Sequence, residues 1–440
     1  MSRPADRSHD RKILRLAIPA FGALVAEPLF LLADTAIVGR LGTAPLGGLG
    51  VAGQVLTTLV SLSIFLAYGT TAAVSRRIGA GQHREAIQQG IDGLWLALGI
   101  GLIVILVGWP LTPAIVDAFG PSPVVAPYAI TYLRISLFGA PGMLLILAGT
   151  GVLRGLQDTR TPLIVAVAAN LVNIVLNIWL VFGLDLGIAG SAWGTVLAQT
   201  AGALVYVAVV ARGARRYGAT LRPDRAGLRA SATAGFALFI RTASLRVVLL
   251  VGTAVAARLG DASIAAYQVA FQVWTLLAFA LDALAIAAQA ITGRHLGAED
   301  VAGARAATRR MVRWGVWAGV VFGVLILLTR PWIPGLFTAD PAVRDLVFSC
   351  LLIVALLQPL AGRVFVLDGV LIGAGDQRYL AVAGVLSMLA FLPVAILLPA
   401  HFGGLITLWL AIGVWMAARD LTLWLRARGD AWLVTGAVRR

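Results

Sequence analysis

The 440 residues are 60% apolar and 12% charged, with a mean hydropathy of +0.91. No water-soluble fold of this length can cover so much apolar surface, so the composition excludes a soluble globular protein and points to a polytopic membrane protein. The formal charge of +15 would suit nucleic acid in a soluble chain, but its distribution over the loops argues otherwise.

Twelve apolar segments of spanning length are predicted, over roughly 13–38, 46–74, 90–111, 124–152, 162–183, 187–211, 229–257, 263–290, 310–329, 342–371, 379–398 and 403–425. The first is longer than the apolar core of a secretion signal and lacks a small-residue cleavage site, so it is expected to remain as a spanning helix. Basic residues alternate between connections. Arg3, Arg7, Arg11 and Lys12 precede helix 1, Arg76, Arg77 and Arg84 follow helix 2, and Arg154 and Arg160 follow helix 4. A run from Arg212 to Arg229 follows helix 6, another from Arg294 to Arg313 follows helix 8, and Arg378 follows helix 10. The odd-numbered connections hold only Arg40, Arg258, Arg330 and Arg344. The positive-inside rule then puts both termini and the even connections in the cytoplasm of a cell-membrane protein. The excess charge is thus an orientation signal whose expected partner is anionic lipid of the cytoplasmic leaflet, not nucleic acid. Cys350 is the only cysteine, so no internal disulfide forms.

One register recurs along the chain. RLGTAPLGGLGVAGQ begins at Arg40 and RLGDASIAAYQVAFQ at Arg258, an offset of 258 − 40 = 218. The same offset carries SRRIGAG onto GRHLGAE, Pro113 onto Pro331, Pro141 onto Pro359 and GLQDTR onto GAGDQR. The predicted fold is an all-α integral membrane protein of twelve transmembrane helices, in two six-helix lobes related by a parallel pseudo-two-fold repeat. The lobes are expected over residues 1–211 and 229–440, with a cytoplasmic linker at 212–228. Such duplication suits alternating access more than it suits a channel or a membrane enzyme.

Several motifs read as structural. GLGVAG, Gly48 to Gly53, has the glycine pattern of a dinucleotide site but no preceding strand, and with GSAWG it reads as close helix packing. Asp158 and Asp376 precede new helices as N-caps or hinges. Gln54 and Gln272 suit interhelical hydrogen bonds. His9, His83, His295 and His401 have no ligand spacing, so no metal site is expected. No cluster of His, Asp or Glu at one membrane interface suggests an enzyme.

The acids inside the spans are different, because an ionised carboxylate near the centre of a bilayer costs about 3 kcal/mol even on insertion scales. Glu27 and Asp34 lie seven apart on one face of helix 1, and Asn170, Asn173 and Asn177 form one stripe of helix 5. Both stripes are expected to face a common interior, with gluing of helices as the alternative. Asp282 in helix 8 and Asp368 in helix 10 are secondary candidates, which Arg241, Arg246 and Arg363 are placed to neutralise. Pro19 removes a backbone hydrogen bond in helix 1 and permits a hinge.

With these residues in view, the chain resembles the multidrug and toxic compound extrusion (MATE) transporters, and more closely their DNA-damage-inducible (DinF-like) branch. The resemblance rests on ADTAIVGRLG, NIVLNIWLVFGLDLGIAGSAWGT, FALDALAIAAQAITGRHLGA and VFVLDGVLIGAGDQRYL. It implies two lobes around a central cleft and an antiporter, without cofactor, that exports amphipathic and often cationic small molecules against a proton or sodium gradient. Residue by residue, the motif's helix 1 Asp falls on Asp34, its Pro on Pro19, the helix 4 Tyr on Tyr132, the helix 5 Asn on Asn173 and the helix 6 Thr on Thr195. Asn177 stands where one form of the motif has a second Asp, which leaves Glu27 as the nearest further titrating group. The sodium-coupled branch places a Glu in helix 7, and its absence here favours protons. The alternatives are sodium-coupled efflux and a flippase for a lipid or lipid-linked precursor, for which Arg134 is the residue to watch. A monomer is expected.

Overall fold

The computed structural model describes residues 4–439, with side chains from Asp10 onward. The side chains of Arg3, Arg7 and His9 lie outside the described residues. The described chain is all helix and turn. Its long helices are α1 (Pro4–Gly39), α2 (Thr43–Gly79), α3 (His83–Asp117), α4 (Ala126–Leu137 continued by Ala140–Gly155), α5 (Arg160–Gly183) and α6 (Gly187–Tyr217). They continue as α7 (Arg225–Arg258), α8 (Asp261–Gly297), α9 (Val301–Thr329), α10 (Pro341–Gly373), α11 (Gln377–Leu397) and α12 (Leu405–Arg428). Eleven are long and apolar enough to cross a membrane, and the two pieces of α4 make a twelfth. The 37-residue α8 is about 55 Å long, well over the ~30 Å hydrocarbon core, so the ends of such helices stand in the aqueous layers. Leu106, Leu250 and Leu356 are exposed, as lipid-facing side chains should be. One element was not predicted, a short helix at Ile333–Phe337 between α9 and α10.

The repeat is written into the backbone of the turns. Gly42 and Gly260 have φ of 118° and 107° in a region open only to glycine, and both halves keep glycine there. The left-handed residues that end α2 and α8 are Gly81 and Glu299, at 76° and 60°. Those that end α4 and α10 are Gln157 and Gly375, at 64° and 72°. Each pair is 218 apart. The left-handed region tolerates other residues at a cost of about 1–3 kcal/mol, which is why one partner in each of the latter pairs is not glycine.

Two departures from strict repetition matter. α4 bends by 52° between Leu137 and Ala140, where Pro141 cannot donate to the preceding turn, yet its counterpart Pro359 lies inside an unbroken α10. Asp158 caps α5 by accepting from the amides of Arg160 and Thr161, both at 3.0 Å, whereas Asp376 instead pairs with Arg426 at 2.7 Å and Arg439 at 3.0 Å. Gln54 and Gln272 are exposed and, among the described residues, make no side-chain hydrogen bond, contrary to the expected interhelical role.

The chain forms two compact units. One comprises Ile18–Gly235; the other comprises Phe236 onward together with the residues up to Ala17. α1 therefore starts in the second unit and continues in the first, and α7 starts in the first and continues in the second. The two boundaries are again one repeat apart, 235 − 17 = 218. Within the second unit, Asp10 accepts from Arg310 Nε and Trp314 Nε1, both at 2.7 Å, which fixes the start of α1 to α9. Within the first, Asp92 of α3 accepts from the Asp224 amide at 2.8 Å, and Gln89 donates to Ser231 at 2.7 Å, which fixes the start of α7.

Association of helices in lipid gains little from hydrophobicity and depends on close packing and buried polar contacts. In the second unit Gly315 and Gly319 of α9 meet the carbonyls of Gly362 and Gln358 so closely that any side chain there would clash. In the first unit Val38, Leu49, Val116, Leu133, Leu137, Ile188 and Ala192 form one buried cluster that also contains Tyr132. That cluster locks α1, α4 and α6 together and sets the place of the polar side chains beside it.

Candidate functional site

Asp34 lies in the first unit with only 2% of its surface exposed. Its Oδ1 accepts from Ser191 Oγ at 2.6 Å and from Asn177 Nδ2 at 2.8 Å, and its Oδ2 accepts from Tyr132 Oη at 3.1 Å. A second layer supports the first: Asn173 Nδ2 donates to Thr195 Oγ1 at 3.1 Å, and that hydroxyl donates to the Ser191 carbonyl at 3.1 Å. The site draws on α1, α4, α5 and α6, and every donor to the carboxylate is neutral. The amide oxygens of Asn173 and Asn177 are buried without a hydrogen-bond partner. Asn177 Oδ1 occupies the space a side chain on Gly194 would need, so the glycines of GSAWG serve the site as well as the packing. Immediately beyond Asn177, α5 widens into a π-helical turn at Trp179–Gly183, a deviation frequent at functional sites.

The structure gathers Asp34, Tyr132, Asn173, Asn177 and Thr195 into one cluster and leaves Glu27 outside it. Glu27 is exposed and, among the described residues, makes no hydrogen bond or ion pair. A spacing of seven fixes a shared direction but also an axial separation of about 10.5 Å, beyond the reach of the donors around Asp34. Asn170, the third member of its stripe, instead donates to the Ala26 carbonyl at 3.1 Å and ties α5 to α1. Pro19 lies inside α1, which runs on without a break, two residues beyond Ala17 where the helix passes between units. Arg134 of α4 stacks on the Trp109 ring at 4.9 Å and is not among the groups around Asp34.

Ser191 is the member of the site that the sequence reading missed. Within GSAWG it reads as one more small residue, and the available signal was its spacing of four from Thr195, which puts both on one face of α6.

The second unit treats its acids differently. Asp368 of α10 is gripped by Arg241 of α7, with Nε to Oδ1 at 3.1 Å and a second, short bond from Nη2 to Oδ2, and by Arg419 of α12 at 3.3 Å. Arg363, read as a partner for Asp282 or Asp368, pairs instead with Asp420 of α12, its Nε 2.6 Å from Oδ1. Five residues separate Arg363 from Asp368, a turn of roughly 140° around α10, so the two point to different neighbours. Asp282 of α8 is half-buried. Neither Arg419 nor Asp420 was singled out in the sequence, although adjacent charges in the final apolar segment were the signal.

Long apolar helices arranged as two repeated halves, with a buried, hydrogen-bonded carboxylate inside one of them, define a multi-pass membrane transporter rather than an enzyme. The chain belongs to the MatE family of multidrug and toxic compound extrusion transporters: the family's sequence model matches it twice, over residues 19–179 and 237–397. The matches start and end one repeat apart, 237 − 19 = 218 and 397 − 179 = 218. DNA damage-inducible protein F of Escherichia coli K12 is 30% identical over 421 residues, covering 94% of this chain and 91% of that protein. The probable multidrug resistance protein NorM of Thermotoga maritima is 25% identical, covering 91% and 88%. The Vibrio cholerae MATE transporter VcmN, solved in a bent form, shares the fold with a TM-score of 0.88 at 21% identity, covering 97% of this chain and 98% of that one.

Proposed function

We propose that the protein is a secondary antiporter of the cell membrane, with both termini cytoplasmic, that exports amphipathic cations in exchange for protons by alternating access. The observation that carries this reading is the contrast between its buried acids. Asp368, Asp376 and Asp420 each have arginine partners and Asp92, near the start of α3, is held by the Asp224 amide of the connection before α7, whereas Asp34 is enclosed among helices with only hydroxyl and amide donors. A carboxyl group without a compensating cation in a low-dielectric interior is disfavoured in its charged form and binds a proton when closed off from water. Its partners suit both states. Oδ1 already takes two donors, so the proton goes to Oδ2, and Tyr132 Oη turns from donor to acceptor. Ionised, Asp34 attracts a cationic substrate; neutral, it releases it. Proton and substrate thereby alternate on one site, with α1 bending at Pro19, where the Arg15 carbonyl lacks its helical donor. The NorM relative, a probable multidrug resistance protein, supports export of drug-like compounds.

A specific observation also favours a second reading, sodium coupling: the unpartnered amide oxygens of Asn173 and Asn177 beside the carboxylate form a set of hard oxygen donors. One experiment separates the two. Proteoliposomes loaded with a panel of organic cations are given pH and sodium gradients separately; efflux driven by the pH gradient alone, and lost in Asp34→Asn, is the expected result. Efflux driven only by sodium would replace the proton reading with the second.

A further inference from the structure

Each unit lays one arginine on an aromatic ring between its third and fourth long helices. In the first, Arg134 of α4 stacks on Trp109 of α3. In the second, Arg330, which follows α9, stacks on Phe348 of α10, with its guanidinium carbon 3.6 Å from the ring centroid. Trp109 is eight residues before the end of α3 at Asp117, and Arg134 is eight after the start of α4 at Ala126, so both stand about 12 Å from the connection that joins these helices. That connection and the one after α9 lie opposite the basic connections. With the orientation proposed above, both stacks are at the edge of the outer leaflet. Among the described residues no carboxylate pairs with either guanidinium, and the Nε of each is buried without a hydrogen-bond partner. Arg344, on the connection that follows Arg330, shows the alternative, its Nε donating to the Thr338 carbonyl at 2.7 Å. The two stacks are built from different residues. In the 218-residue register Leu327 and Leu352 stand for Trp109 and Arg134, while Thr112 and Ile130 stand for Arg330 and Phe348. Ring and cation have changed helices, yet both stacks fall within about 6 Å of the same level. A cation at the edge of the hydrocarbon calls for an anion to offset its desolvation. Stacking covers one face of a guanidinium and leaves its in-plane N–H fork, which matches two phosphate oxygens. Trp109 and Phe348 are exposed, so each stack lies at the surface of its own unit, within reach of a lipid.

We propose that the two stacks are surface sites for an anionic phospholipid of the outer leaflet, whose phosphate oxygens take the N–H donors of Arg134 in the first unit and of Arg330 in the second. The rings hold the guanidinium groups at headgroup depth. An aromatic anchor alone does not distinguish an anionic phospholipid from a zwitterionic one, whereas an arginine without a counter-charge does. The sites are independent of which ion is exchanged.

The test uses the full chain with Cys350→Ala, reconstituted in bilayers and carrying one fluorophore, either at Thr131→Cys beside Arg134 or at Trp332→Cys beside Arg330; both positions are exposed. Quenching by phosphatidylglycerol with brominated chains is compared with quenching by brominated phosphatidylcholine. Contact quenching does not reach across the bilayer, so lipid held by the basic connections of the other side is silent. Phosphatidylglycerol is expected to be favoured about fivefold at each label, the attraction of one arginine near a membrane surface. Arg134→Gln should abolish the preference at Thr131→Cys and leave it at Trp332→Cys, and Arg330→Gln should do the reverse. Both variants lose the same charge, so the crossed comparison separates a local site from the net charge of the protein. The proposal is overturned if neither label reports a preference, if the preference persists beside the replaced arginine in variants that elute as folded protein, or if either substitution abolishes it at both labels.

Discussion

Gly252 of α7 occupies the repeat position that Asp34 occupies in α1, 252 − 34 = 218, and a side-chain carbon placed on it would lie 2.7 Å from the Tyr267 hydroxyl. The rest of the Asp34 site is replaced in the same register. Trp409 stands for Ser191, Phe391 for Asn173 and Cys350 for Tyr132, and all three are fully buried. Trp409 packs against Tyr267 and Trp274, with ring centroids 5.9 and 6.3 Å away. The second unit has thus exchanged a polar cluster for an aromatic core at the equivalent place.

From this follows an asymmetric response to substitution. Trp409→Ala removes a large buried side chain and should cost about 3–5 kcal/mol of stability, through the cavity it leaves. It should not change the number of protons exchanged per substrate. Unfolding in detergent measures the first and proton release on substrate binding the second.

Asn177 marks the limit of the site's titrating capacity. Its Nδ2 donates to Asp34 at 2.8 Å and cannot release a proton. Asn177→Asp would place a second carboxyl group against the first, and two carboxylates at that separation cannot both be charged. The proton count per substrate bound should rise from one toward two. An unchanged count in a folded, substrate-binding variant would separate Asn177 from the exchange site.

The first turns of α1 and α7 are anchored independently. Asp10 takes three hydrogen bonds from Arg310 and Trp314. Asp10→Ala should raise amide exchange at the start of α1 alone, and Asp92→Ala at the start of α7 alone. Loss of protection spread over a whole unit would contradict these local roles.

Outside the membrane, Asp300 caps α9, accepting from the Gly303 amide at 2.8 Å and contacting His295 Nδ1 at 2.8 Å. The amide bond, followed by the His295 contact, holds its carboxyl below the usual range. A depressed carboxyl group contributes stability above its unfolded value and loses it as pH falls through its folded value. Asp300→Ala should therefore cost about 1 kcal/mol near neutral pH, as lost caps do, and the difference from wild type should shrink in acid. Thermal unfolding from pH 3 to pH 7 checks both the size and the sign.

Much of this was legible in the sequence for physical reasons. Hydropathy reports burial in lipid directly, and the 218-residue register survives in turns because Gly42 and Gly260 need a conformation that other residues avoid. The stripe of Asn173 and Asn177 follows from helical period alone. Glu27 shows where period stops being informative, since it fixes direction but not reach along the axis. Ser191 was hidden because a small residue serves packing and hydrogen bonding alike. The pairing of Arg363 with Asp420 depends on which helices adjoin α10, a tertiary fact that no local pattern carries. The aromatic filling around Gly252 was likewise invisible, because an ordinary run of apolar residues has no motif.

The central claim is that Asp34 carries the exchanged proton, and its most direct test is substrate-induced proton release from purified protein, compared for wild type, Asp34→Asn, Glu27→Gln, Asp282→Asn and Asp368→Asn. The account predicts that Asp34→Asn folds and releases none, and that Glu27→Gln, which lies outside the Asp34 cluster, and the two variants of the second unit retain substantial release. Full release from Asp34→Asn, with loss confined to Asp282→Asn or Asp368→Asn, would place the exchange in the other unit and contradict it.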